Sequence, residues 1–140
     1  MRLIGRWWMA AVLLAVLAPA TAQNRMQRGR LQQVQDAYAA AVRWGEFEDA
    51  WQAVDPDYRA GHPMTELEFE RYRQVQISGY RDLASSVGPD GAVERSIELR
   101  VINKHTMAER TLRYRERWRW DPQAKRWWLA VGLPDLWNGE

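Results

Sequence analysis

Cysteine is absent from all 140 residues. Disulfides, thiolate zinc sites, a cysteine nucleophile and lipid attachment through an N-terminal cysteine are therefore excluded. Histidine is nearly absent: His62 and His105 both fall in turn-forming contexts and share no spacing toward a common ligand set. A zinc site usually needs three or four ligands, so neither a metal nor another cofactor is expected. Ser78, Ser85, Ser86 and Ser96 lie in no G-x-S-x-G context, which removes the nucleophile elbow of Ser–His hydrolases. A charge excess is also missing once the chain start is set aside. Arg2 and Arg6 account for the formal +2, and 18 of the 20 Lys+Arg then face 18 Asp+Glu. A neutral chain lacks the electrostatic footprint of a nucleic-acid partner.

Long apolar runs are lacking too, with one exception at the N-terminus. Residues 1–22 read MRLIGRWWMAAVLLAVLAPATA. A short positive end, an apolar stretch from Trp7 to Leu17, and the small residues Ala20-Thr21-Ala22 after Pro19 form a signal peptide, with the cut expected after Ala22. The apolar stretch is shorter than the ~20 residues of a membrane span. The expected product is periplasmic or secreted, has no membrane span after cleavage, and keeps 118 of the 140 residues, enough for one domain with one core. Its seven tryptophans can each bury about 150–250 Å², so a core without disulfides is plausible.

Residues 23–30 (QNRMQRGR) are polar and basic and are expected to form a flexible segment. The remainder, 31–140, reads as one α+β domain. Leu31, Val34, Tyr38, Ala41 and Val42 recur at helical spacing, and Gly45 suits a C-terminal cap. Glu46 to Val54 gives a second short helix, closed by Asp55-Pro56. Thr65 and Glu68 form a capping box that opens a third helix, to about Gln74, with Phe69, Tyr72 and Val75 as its buried stripe. The period then changes to two. Strands are predicted over Tyr80–Val87, Val93–Val101, Leu112–Trp120 and Trp127–Leu133, with turns at Gly88–Gly91, Asn103–Thr106 and Asp121-Pro122.

Helices followed by a four-stranded antiparallel meander, the small helices around Trp44-Gly45-Glu46-Phe47, and the Trp-rich last hairpin resemble the nuclear-transport-factor-2-like (cystatin-like) superfamily. The resemblance implies N-terminal helices packed on a curved sheet to form a cone with a pocket. It also implies pairing through the outer face of the sheet. The superfamily contains isomerases, dehydratases, epoxide hydrolases, secretion-system scaffolds and binding proteins, so the fold does not select a function.

Pairing across the Asn103–Thr106 turn, with residue numbers summing to about 211, places Leu99 opposite Leu112 and Ile97 opposite Tyr114 on the core side. On the other side, Glu98 meets Arg113 and Glu94 meets Arg117. The same register sets Arg95 opposite Glu116, both pointing inward among Tyr114, Trp118 and Trp120. Two inward charges must pair or sit in a hydrated pocket. One reading is a structural ion pair. The other is a ligand site built by Arg95, Tyr114, Glu116, Trp118 and Trp120. On the first strand, Tyr80 and Asp82 can face inward, or else Ile77, Leu83 and Val87; hydrophobicity favours the second choice, with Asp82 turned out.

The leading expectation is an exported binding or accessory domain, for a small molecule or a protein of the cell envelope, without catalysis. The rival is a small isomerase, dehydratase or hydrolase using Glu116 or Tyr114 for proton transfer. A further alternative is a scaffold subunit, with Arg117, Arg119 and Trp128 forming an interaction surface where Trp128 stacks on Arg119 and the sheet supports a homodimer.

Overall fold

A computed structural model describes residues 17–137. Four helices precede a four-stranded antiparallel sheet: α1 (Leu17–Trp44), α2 (Phe47–Gln52), α3 (Pro56–Gly61), α4 (Glu66–Tyr72), β1 (Val75–Val87), β2 (Val93–Asn103), β3 (Glu109–Asp121) and β4 (Arg126–Leu129). The strands lie in chain order, each beside the next. This is the expected α+β architecture.

The helix over residues 31–44 extends further toward the N-terminus than the sequence pattern implies. It runs unbroken through 23–30, the stretch expected to be flexible, and across the expected cut after Ala22. Two contacts tie this part down: the Trp127 indole donates to the Gln27 carbonyl at 2.9 Å, and Arg30 Nη1 donates to the Lys125 carbonyl at 2.6 Å. From there α1 crosses the inner face of the sheet, burying Tyr38, Ala41 and Val42, and ends with Arg43 beside Gly79–Arg81 of β1. Its C-terminus closes on Gly45. That residue adopts φ +75°, and the Gly45 and Glu46 amides donate back to the Val42 and Ala41 carbonyls, the Schellman arrangement that favours glycine.

Asp55-Pro56, read as a helix end, also starts a new helix. The Asp55 carboxylate accepts from the Asp57 amide at 3.0 Å and Pro56 occupies the first turn of α3, where its missing N–H is harmless. A six-residue helix is too short to declare itself by periodicity. The capping box at Thr65 and Glu68 forms as read. The helix it opens stops at Tyr72, and Val75 is buried as the first residue of β1 instead of on a helical stripe. The last strand ends at Leu129, earlier than expected. The chain leaves the sheet there because residues 53–55 pair alongside: Leu129 donates to the Ala53 carbonyl and Asp55 donates to the Leu129 carbonyl, both at 2.8 Å.

The β2–β3 register matches the sum of 211 at every pair from Val93–Trp118 to Ile102–Glu109. One face of the sheet therefore carries Val93, Arg95, Ile97, Leu99 and Val101 with Leu112, Tyr114, Glu116, Trp118 and Trp120, under α1. β1 departs from simple alternation. Shifts between Ile77 and Gly79 and between Asp82 and Ala84 are β-bulges, each of which reverses side-chain parity. Pairing with Val101, Leu99, Ile97, Arg95 and Val93 puts Ile77, Tyr80, Asp82, Ser85 and Val87 on one face, the inner one. Asp82 thus faces inward, against the hydrophobic reading, and Leu83 is the bulge residue.

Among the described residues no helix is long and apolar enough to cross a membrane.

Candidate functional site

β2 and β3 bring Arg95 and Glu116 together because they are direct cross-strand partners. Glu116 has no exposed surface, and the Arg95 side chain is 10% exposed. Arg95 Nε and Nη2 donate to Glu116 Oε2 at 3.0 and 2.9 Å. The Trp118 indole, two residues along β3, donates to the same oxygen at 2.9 Å. The Tyr80 hydroxyl donates to Oε1 and accepts from Arg95 Nη2 at 3.0 Å. A carboxylate has about four lone-pair positions, two on each oxygen; here three donors crowd Oε2 and one meets Oε1. The remaining Arg95 nitrogen, Nη1, reaches Asp82 Oδ2 at 3.5 Å. The Asp82 side chain is 47% exposed, so this loose contact is where the network meets solvent. Ser85 and Val87, beyond it on the same face, are exposed.

A second chain of hydroxyls adjoins the first. Tyr38 and Tyr114 hydroxyls lie 3.0 Å apart, and Tyr114 donates to the Gly132 carbonyl at 3.1 Å, so Tyr38 is left as donor to Tyr114. The Tyr38 ring meets Trp118 edge-on at 5.5 Å. Burial pushes the Tyr80, Tyr114 and Tyr38 phenols well above their ordinary range, and the negative charge of Glu116 adds to the rise at each. For Arg95, burial opposes the charged form but Glu116 outweighs it, aided by Tyr80 and Asp82, and the guanidinium is held more firmly charged than usual.

Of the residues singled out from sequence, Arg95, Glu116 and Trp118 form one cluster, and Tyr114 borders it through Tyr38. Trp120 stands apart, packed edge-on against Trp127 at 5.6 Å. Tyr80 and Asp82 also belong to the cluster, the inward choice that hydrophobicity disfavours. The glycine at 79 within a strand is the one local sign of a bulge that could have brought them in.

On the surface, Arg117 pairs with Glu94 as expected and also with Asp90, but other contacts differ. Glu98 takes Arg81 of β1 at 2.8 Å instead of Arg113, because a central strand has neighbours on both sides. Trp128 is buried, with Arg126 rather than Arg119 over its ring at 3.7 Å and its indole donating to Asp121. Arg119 turns instead to Asp55. His62 stacks on Tyr58 at 4.2 Å. Among the described residues no three His, Cys, Asp or Glu side chains are grouped to hold a metal ion.

Asp55 is a second buried acid that sequence reasoning missed. It caps α3 with one oxygen and binds Arg119 with the other. The Arg119 hydrogen bond holds its carboxyl below the usual value of 3.8, against the opposing effect of burial. A depressed folded-state value means stability that is present above the usual carboxylate range and lost as pH falls through the folded value. Urea midpoints are therefore expected to drop below about pH 4. Asp55→Asn keeps a good cap but loses the ion pair, so its midpoint is lower at neutral pH and falls less steeply with acid.

No family model matches the chain, and comparisons with curated proteins and with solved structures gave no match either.

Proposed function

We propose that this chain is an exported binding domain of the cone-shaped, cystatin-like type, which receives a small anionic ligand or a partner's acidic group at the open corner of the inner face. The observation that carries this reading is the complete burial of Glu116 among four donors, three on Oε2 and one on Oε1. A proton-transfer group needs a lone pair or proton directed at substrate. Glu116 directs its oxygens at Arg95, Tyr80 and Trp118, and the Tyr114 hydroxyl is engaged on both sides. What remains available is Arg95 Nη1, whose contact with half-exposed Asp82 is long. A carboxylate or phosphate ester arriving between Asp82 and Ser85 would replace a weak contact by a strong charge-assisted one.

The test is a thermal-shift screen of carboxylates and phosphate esters on the purified protein. A ligand at 100 times its Kd stabilises by about 2.7 kcal/mol. Asp82→Asn, which removes the competing carboxylate, should increase the shift for the same compound. Turnover of any substrate that disappears in a folded Glu116→Gln variant would favour the enzyme reading instead.

The scaffold reading draws on Arg113 and Arg115, which are exposed on the outer face and have no carboxylate within 4 Å among the described residues. An acidic partner surface would suit them, and light scattering on Arg115→Glu would reveal a lost assembly.

A further inference from the structure

A different flank of the molecule holds a second, unassigned groove. It is about 600 Å³ and runs between α1, α2 and the start of β4. None of Arg95, Glu116 or Tyr80 borders it. Its lining carries charges of both signs. Arg59 is held to Gln52, the last residue of α2, with Arg126 near it; Glu46 precedes the first residue of α2 and Asp49 lies in its first turn. Among the described residues none of these four has an oppositely charged side chain within 4 Å. Arg126 Cζ lies over the Trp128 ring at 3.7 Å from its centre, a cation–π contact that holds the guanidinium in place. Arg59 Nη1 donates to Gln52 Oε1 at 3.2 Å, while its Nε is buried with no acceptor. The two guanidiniums oppose each other: burial and the charge of Arg59 both bring Arg126 down from its ordinary value. A third cation adjoins, since Arg126 also borders a neighbouring hollow of about 390 Å³ that contains Arg30.

Two neighbouring uncompensated guanidiniums beside the last residue of α2 call for an oxyanion. Uncompensated carboxylates at its N-cap and in its first turn disfavour a polyanion and call for a cation. From the N-cap Glu46 to Gln52 the chain rises about 9 Å at 1.5 Å per residue. Ala37, Ala40 and Ala41 lie with Val34 and Tyr38 in the α1 wall, and the small alanine side chains leave room for an extended chain. At 3.3–3.6 Å per residue, about three residues of extended peptide bridge such a distance. We infer that this groove binds a short peptide with free ends, the carboxylate held by Arg59 and Arg126 and the ammonium by Glu46 and Asp49.

The experiment is an NMR titration of the purified protein with trialanine, trialanine amide, N-acetyl-trialanine and inorganic phosphate, following the Trp128 indole N–H. Trialanine is expected to move that signal. Each end-blocked form should bind at least about tenfold more weakly. On Arg126→Gln the preference for trialanine over its amide should vanish, and Arg59→Gln provides the same reading if the first variant does not fold. Asp49→Asn should remove the preference over the N-acetyl form, whereas Asp82→Asn, at the other site, should change nothing here. The inference is overturned if trialanine leaves the indole signal unmoved, if the amide binds as tightly as the free peptide, or if phosphate alone binds as tightly as trialanine.

Discussion

Replacing Glu116 by alanine is expected to lower the melting temperature by about 12–20 °C. The cause is not the loss of a favourable contact alone. The variant leaves the Arg95 guanidinium, the Tyr80 hydroxyl and the Trp118 indole N–H in the interior without their shared acceptor. Removing one partner of a buried pair costs about 3–5 kcal/mol, and a domain of this size shifts by about 4 °C per kcal/mol. The same reasoning gives a contrasting expectation. In the triple variant Tyr80→Phe, Arg95→Met, Glu116→Leu, the groups that needed the carboxylate are replaced by apolar ones of similar volume. Only the Trp118 N–H remains unsatisfied. Most of the lost stability should return, because the desolvation of two charges is no longer opposed to folding. Differential scanning calorimetry on the single and triple variants decides the point. A triple variant as unstable as Glu116→Ala would mean that the cluster acts through its shape and not through charge compensation. The folded triple variant also separates stability from binding: it should lose anion binding at the open corner while keeping its tertiary structure.

The part of this cluster contributed by β2 and β3 was legible in the sequence for a definite reason. Val93 to Val101 and Leu112 to Trp120 alternate except at Arg95 and Glu116, and a turn at Asn103–Thr106 leaves little freedom of register. A one-residue slip would send every aliphatic side chain to the wet face, so Arg95 and Glu116 had to meet. β1 was not legible because it does not alternate. Residues 77–87 read ISGYRDLASSV, and two bulges let Ile77, Tyr80, Asp82 and Val87 share a face that strict parity would split. Bulges arise where a twisted edge strand must follow its neighbour, which is a property of the sheet and not of the segment. The outer side failed for a related reason. Trp128 is parity-matched to Arg119, yet the extra pairing of residues 53–55 against Leu129 brings Asp55 to Arg119. Arg126, on the same strand as Trp128, then covers the ring. That pairing joins segments separated by most of the chain, and nothing local announces it.

The helical layer shows the same division. Tyr38, Ala41 and Val42 were found from their spacing because a helix on a sheet needs an apolar stripe. The polar residues 23–30 carry no such stripe. They are helical because α1 continues and because backbone carbonyls at Gln27 and Lys125 accept from Trp127 and Arg30. Main-chain acceptors are present at every residue, so composition cannot single these out.

Trp118→Ala is expected to be comparably damaging, at about 3–5 kcal/mol for a large aromatic removed from a fully buried position. Trp118→Phe divides that cost into two causes. Phenylalanine keeps a ring for the edge-on contact with Tyr38 but has no N–H for Glu116 Oε2. A hydrogen bond to a charged group contributes about 1.5–3 kcal/mol, so this variant should fall between the wild type and alanine. If the indole N–H is a true fourth donor, its loss should depend on Glu116. In the background of Tyr80→Phe, Arg95→Met, Glu116→Leu, the change from Trp118 to phenylalanine should cost only the packing lost with the smaller ring, since the orphaned N–H is removed with its lost acceptor. Urea denaturation of the four combinations measures the coupling directly. A cost for Trp118→Phe that is the same with and without Glu116 would assign the residue to packing alone and reduce the cluster to the Arg95 and Tyr80 contacts.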